Sequence, residues 1–132
     1  MTNLSSFDLD FSYGTDGEGL VSDLILGKRT VEVKRDRRWK ETGNLYIETR
    51  CFYQRSQAWE PSGLSVTEAG YWAFVIEESI LLIPTDILKS AVGNYGKQIR
   101  CSIPPNESEG YLITPEQLLQ AQKEYHNAKP QK

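Results

Sequence analysis

The run Asp23-Leu-Ile-Leu-Gly-Lys-Arg-Thr-Val-Glu-Val-Lys34 sets apolar and β-branched residues on both sides of Gly27-Lys28. Glycine at the first position of a two-residue loop suits a type II′ turn, whose twist matches that of paired strands, and Leu, Ile, Val and Thr favour strands. Counting outward from the turn puts Leu26 opposite Arg29, Ile25 opposite Thr30, Leu24 opposite Val31 and Asp23 opposite Glu32. Lys34 falls on the face of Glu32 by the two-residue alternation of a strand. Opposed side chains stand roughly 5 Å apart at Cβ, and like charges placed there repel. A hard cation such as Mg²⁺, which takes oxygen ligands and often only one or two carboxylates, offsets that repulsion. Solvent and the neighbouring lysine offset it too, and the pattern by itself weighs the two equally. A helix over 15–26 is the competing reading. It buries Val21, Leu24 and Ile25 together, puts Asp23 on the helix, and makes Asp36 or Glu48 the candidate for a second metal ligand.

Charge is distributed unevenly along the chain. Residues 1–23 carry Asp8, Asp10, Asp16, Glu18 and Asp23 without a lysine or arginine, whereas Lys28, Arg29, Lys34, Arg35, Arg37, Arg38 and Lys40 crowd the next stretch. The net charge of −3 is the wrong sign for bulk attraction to nucleic acid, so any such binding must come from local placement. An acidic segment that can hold cations beside a basic one that can neutralise phosphates is a division of labour a metal-dependent nuclease needs. A solvated charged loop has the same composition. Trp39, among Arg37, Arg38 and Lys40, either stacks on a base or packs on the edge of the domain.

At 132 residues the chain is expected to be one domain over 1–126 with a flexible tail at 127–132. No run reaches the roughly 20 apolar residues of a membrane helix, and the first residues lack the basic start and apolar core of a signal peptide. Cys51 and Cys101 have no metal-type spacing and read as reduced thiols of a cytoplasmic protein.

Along the chain, residues 1–13 alternate loosely and suggest an extended arm, and Gly14, Gly17 and Gly19 suggest a turn before a brief helix through about Leu20. Leu45–Tyr53 reads as a strand. Tyr71–Ile76 and Ile80–Ile83 read as a hairpin turning at Glu77-Glu78. A helix is expected from Ile87 to about Val92, an edge strand over Gln98–Ile103, and an extended piece at Tyr111–Thr114. Thr114 then caps, and Pro115 opens, a helix to about Tyr125 with Leu118, Leu119 and Ala121 toward the core.

Nucleophilic triads and zinc chemistry are poorly served. The single histidine, His126, lies at the end of the chain, and the two cysteines are fifty positions apart. Carboxylates and a lysine remain, which suit metal-assisted hydrolysis of a phosphodiester.

Asp23 followed by Glu32-Val33-Lys34, after the Gly17-Glu18 helix start, resembles the PD-(D/E)xK nuclease superfamily, which includes restriction endonucleases and archaeal-type Holliday junction resolvases. The longer run Val31–Glu48, with its EVK-x-D segment before Thr42-Gly43-Asn44 and a strand reaching Glu48, looks like small phage and bacterial members of that group. The resemblance implies an α/β, restriction-endonuclease-like fold, a mixed central β-sheet flanked by α-helices. It implies a DNA endonuclease dependent on Mg²⁺ or Mn²⁺, in which Asp23, Glu32 and the Val33 carbonyl hold the metal. Glu18 or Glu48 completes or buttresses the site, and Lys34 assists attack by water. Arg35, Arg37, Arg38, Lys40 and Trp39 grip the DNA. A homodimer and a bacterial or phage-infected cytoplasm are further implications. The alternative is a nucleic-acid-binding or protein-interaction module on the same fold without cleavage activity.

Overall fold

The structure, a computed structural model, describes residues 2–128, with side chains from residue 14 onward. It divides into two compact units, 1–30 and 31–132, taken in turn below.

The first unit is one helix, α1, Thr2–Ile25, so the arm expected over 1–13 and the glycine turn after it are both helical. The hairpin through Gly27-Lys28 does not form. Gly27 has φ +73, its N–H donates to Leu24 O at 3.2 Å, and the Lys28 N–H donates to Asp23 O at 2.8 Å. That pair of bonds is the Schellman closure of a helix. A glycine before a polar residue serves a hairpin turn and a helix end equally well, because both need a left-handed residue. The 3.6-residue spacing of Val21, Leu24 and Ile25 accompanies the helical outcome. Asp23 consequently sits in the last turn, 3.6 Å from Arg29, and not on a strand opposite Glu32.

The second unit has seven strands in two sheets, where the sequence reading expected one. The first sheet has the order β1-β4-β5, from β1 Val31–Arg35, β4 Tyr71–Ile76 and β5 Ser79–Pro84. β4 and β5 are the expected hairpin, turning at Glu77-Glu78 with Ile76 opposite Ser79, while β1 runs parallel to β4. The second sheet is antiparallel, in the order β3-β2-β7-β6, from β2 Leu45–Tyr53, β3 Ala58–Pro61, β6 Lys97–Cys101 and β7 Ser108–Ile113. Strand β3 has no counterpart among the elements expected from the sequence.

Among the described residues three α-helices, the single turn α2 Trp39–Thr42, α3 Thr85–Tyr95 and α4 Pro115–Ala128, and a 3-10 turn at Gly63–Ser65 accompany the sheets. A capping box starts α4, since the Gln117 N–H donates to Thr114 Oγ1 at 3.1 Å and the Thr114 N–H donates to Gln117 Oε1 at 3.0 Å. The helix continues through Asn127 and Ala128, the start of the expected tail; residues 129–132 lie outside the described residues.

The core joins both sheets to α3 and α4. Ile47, Trp72, Ile83, Leu88, Ile113 and Leu118 are essentially inaccessible. Each such side chain contributes about 1.5–3 kcal/mol relative to exposure. Leu119, expected beside Leu118 in the core, is 56 % exposed. One turn of α4 that buries Leu118 and Ala121 turns the residue following Leu118 outward. Cys51 and Cys101 both pair across their strands with Ser108. Their Cα atoms are therefore two strand spacings apart, roughly 9.5 Å, beyond the roughly 7 Å Cα limit for a disulfide, and both cysteines are free.

Candidate active site

Strand β1 inverts the usual pattern of apolar residues inward. Glu32 pairs with Trp72 and Lys34 with Phe74, so the two charged side chains share the sheet face on which Trp72 and Phe74 are buried. Val33, on the other face, is 62 % exposed. Lys34 Nζ stands 3.6 Å from Glu32 Oε2 and 5.5 Å from the centre of the Trp72 ring. The face shared by Glu32 and Lys34 is the one the alternation predicts. Inward charges on an edge strand also discourage edge-to-edge pairing, and the half-exposed ion pair adds only about 0.2–1 kcal/mol. The buried Trp72 indole N–H has no hydrogen-bond partner among the described residues.

Glu48 reaches the site from the second sheet. Its strand, β2, pairs with β3 and β7 and not with β1. The register slips between Glu48 and Arg50, a bulge at Thr49, whose carbonyl accepts the Ser62 N–H at 2.9 Å. Bulges bend a strand and re-aim its side chains. The buried Ser62 hydroxyl donates to Glu48 Oε2 at 2.7 Å. Glycines approach from two sides: a Cβ on Gly63 would run into the Glu48 carbonyl, and one on Gly110 into the Ile47 carbonyl. The backbone around Glu48 is thus clamped, with one carboxylate oxygen fixed by hydrogen bond.

Between these elements lies a cavity of about 610 Å³. Lys34 and Glu48 both line it, with Arg35, Arg37 and Arg38 as further basic groups and Phe74, Ile99, Ile103 and Leu112 as apolar wall. The basic segment is held in shape. Asp36 accepts the Arg38 N–H at 2.8 Å through Oδ1 and the Tyr46 N–H at 2.9 Å through Oδ2. Thr42 Oγ1 donates to Arg38 O at 3.0 Å and accepts the Asn44 N–H at 3.1 Å. Gly43, at φ +76, ends α2 in the left-handed region. Trp39 packs against the core and also lines a second cavity with Arg35, Arg37 and Lys40.

Tyr46, also on the main cavity wall, donates to or accepts from Ser108 Oγ at 2.7 Å. Burial raises its phenol above the ordinary value, against the opposing effect of the Ser108 bond. It is a neutral group at physiological pH. Burial likewise raises the Cys51 thiol, which leaves it protonated and unreactive.

Of the residues singled out in the sequence, Lys34, Glu48, Arg35, Arg37 and Arg38 border one cavity, and Glu32 contacts Lys34. Asp23 and Glu18 belong to α1 in the first unit. Asp36, the alternative ligand, spends both oxygens on backbone N–H groups. Arg100 donates to Glu109 at 2.6 Å and covers the Trp59 ring at 4.9 Å. Ser62, Gly63 and Gly110 escaped the sequence reading, because each matters only through a neighbour distant in the chain.

Among the described residues, no three His, Cys, Asp or Glu side chains gather to hold a metal ion. The available donors, Glu32 and Glu48, are nevertheless hard oxygen ligands, and Mg²⁺ commonly uses one or two carboxylates with water and substrate phosphate. Their chemistry fits such an ion. Among the described residues no helix is long and apolar enough to cross a membrane. Comparison with protein-family models, curated proteins and solved structures found no match.

Proposed function

We propose that the chain is a metal-dependent DNA endonuclease of the restriction-endonuclease-like class, hydrolysing phosphodiester bonds with Mg²⁺ or Mn²⁺. The observation that carries this reading is the convergence on one cavity of Lys34, Glu48 and a fixed arginine segment, with Glu32 turned to the same sheet face as Lys34. Glu32 and Glu48 would hold the cation, with the Val33 carbonyl as the resemblance implies. When bound, the ion supplies Lewis acidity and a more acidic water. Lys34 neutralises charge developing on a phosphate oxygen and helps place the attacking water. Ser62 keeps Glu48 aimed. Arg35, Arg37, Arg38 and Lys40 hold backbone phosphates, which fixes the register of the DNA without reading its sequence.

A DNA-binding module that does not cleave is the second reading, favoured by the lack of a three-donor group among the described residues. Plasmid, linear and branched DNA incubated with Mg²⁺ or Mn²⁺ separates the two. Metal-dependent cutting that vanishes with EDTA and in folded Glu32→Ala and Lys34→Ala variants supports the nuclease; binding without cutting supports the module. Asp23→Asn and Glu18→Gln in the same assay test the carboxylates that the resemblance adds from the first unit.

A further inference from the structure

We propose that the cavity bordered by Lys34, Glu48 and the arginine segment receives one unstacked nucleotide, so that the preferred DNA substrate carries unpaired bases beside the bond to be cut. The inference deepens the DNA reading above and rests on it.

The cavity's size and lining both argue for this occupant. Its volume of about 610 Å³ falls within the roughly 300–1,000 Å³ of sites that enclose drug-sized ligands, and a mononucleotide is a ligand of that size. A surface meant only for the rim of a duplex needs basic groups and no enclosed apolar wall. Here Ile99, Ile103 and Leu112 form such a wall, backed by Phe74. Ile103 is 50 % exposed, an apolar group left partly open to water at the margin. Charge is divided as a nucleotide requires. Arg35, Arg37 and Arg38 complement a phosphate, and the apolar wall complements the face of a base.

The cavity is also held open. Asp36 ties the arginine segment to β2 through the Arg38 and Tyr46 N–H groups, and the glycine clamp fixes the strand carrying Glu48. Little ordering is therefore left for binding to impose. A base inside a duplex reaches such a cavity only after unstacking, which costs a few kcal/mol and is least for a base already unpaired. That difference is the source of the expected preference.

The test measures binding in EDTA, so that it does not depend on cleavage. Fluorescence anisotropy would compare a single-stranded oligonucleotide, its duplex and a duplex with a three-nucleotide bubble, each also carrying one abasic site at the position examined. Contact of one base with the cavity should make the bubble bind on the order of tenfold tighter than the duplex, and the abasic site should remove that gain. 2-Aminopurine at the same position should change its emission on binding. Ile103→Asn, at a half-exposed position, makes the apolar wall polar and should abolish both the preference and the emission change; Ile99→Asn provides a second such variant if the first misfolds. Equal affinity for duplex and bubble, an abasic site without effect, or no binding to any of the three overturns the inference. Equal affinity combined with metal-dependent cutting of duplex leaves the nuclease reading standing while this one falls.

Discussion

Replacing Gly110 by alanine tests the packing that aims Glu48. Gly110 lies on β7 directly opposite Glu48, and its backbone is outside the left-handed region, so alanine adds volume without dihedral strain. The new Cβ would meet the Ile47 carbonyl well inside contact distance and stand 2.9 Å from Glu48 Cα. Carbon atoms rest at about 3.5–4.0 Å, so β2 and β7 must part by roughly 0.6–1 Å at that point. Overpacking of this kind costs about 1–3 kcal/mol. The neighbouring strands leave no flexible side chain to give way, which places the expectation at the upper end. Gly93→Ala is the control. Gly93 lies inside α3 with nothing within 4 Å of its Cβ position, and alanine there should stabilise by about 0.5–1 kcal/mol. Urea unfolding should move the two midpoints in opposite directions, by roughly 1.5 M downward for Gly110→Ala at an m-value near 2 kcal/mol/M. A Gly110→Ala protein with the wild-type midpoint and m-value would refute the clamp.

Asp36→Ala removes the acceptor of two backbone N–H groups and should cost about 2 kcal/mol, with hydrogen exchange at the Tyr46 amide accelerated more than at distant strand amides. Glu109 is held below the ordinary carboxylate value, chiefly by its hydrogen bond from Arg100, with Arg50 adding to the effect. A depressed folded-state value means stability that is present above the unfolded value of about 4.3 and is lost as pH falls through the folded value. Thermal melts between pH 5.5 and 2.5, in units of half a pH as a rough grid, should show an acid decline that Glu109→Gln flattens. Ser62→Ala deprives Glu48 of its fixed donor; on the nuclease reading, cleavage should fall about tenfold or more with DNA affinity unchanged. Cys51, buried with a raised thiol value, should react far more slowly than half-buried Cys101 with a thiol reagent at pH 8, and a single rapid phase of two equivalents would contradict this.

Those parts of the fold that local chemistry decides were legible in the sequence. Strand β2, the hairpin of β4 and β5, and the Thr114 cap all depend on residues within one element or one turn, and each lies close to where the pattern put it. The shared face of Glu32 and Lys34 was legible for the same reason. The hairpin and the helix over 15–26 compete at Gly27 because its left-handed conformation serves both, and only the bonds to Leu24 and Asp23 show that the helix is realised. Glu48, a candidate through the resemblance, borders the same cavity as Lys34 from the other sheet, a meeting that no local pattern encodes. Its support from Ser62, and its close approach by Gly63 and Gly110, had no signature in the sequence. A serine and two glycines are ordinary until the chain that brings them together is known.

The parallel pairing of β1 with β4 also sets an order of assembly. Val31 lies beside Tyr71, so this pair forms only after a loop of about forty residues has closed, an entropic cost that local elements do not bear. The β4 and β5 hairpin needs only two residues to turn and can stand as the template before β1 arrives. The strand that carries Glu32 and Lys34 is then the last piece of its sheet to dock, and, unlike the other outer strand β5, it has no tight turn tying it to β4, so it is the first to leave. In native-state hydrogen exchange, the β1 amides bonded to β4 should open with a smaller free energy than those between β4 and β5. On the nuclease reading, the strand carrying Glu32 and Lys34 would be lost by local opening before the core melts, and mild denaturant would abolish cleavage while most of the structure endured.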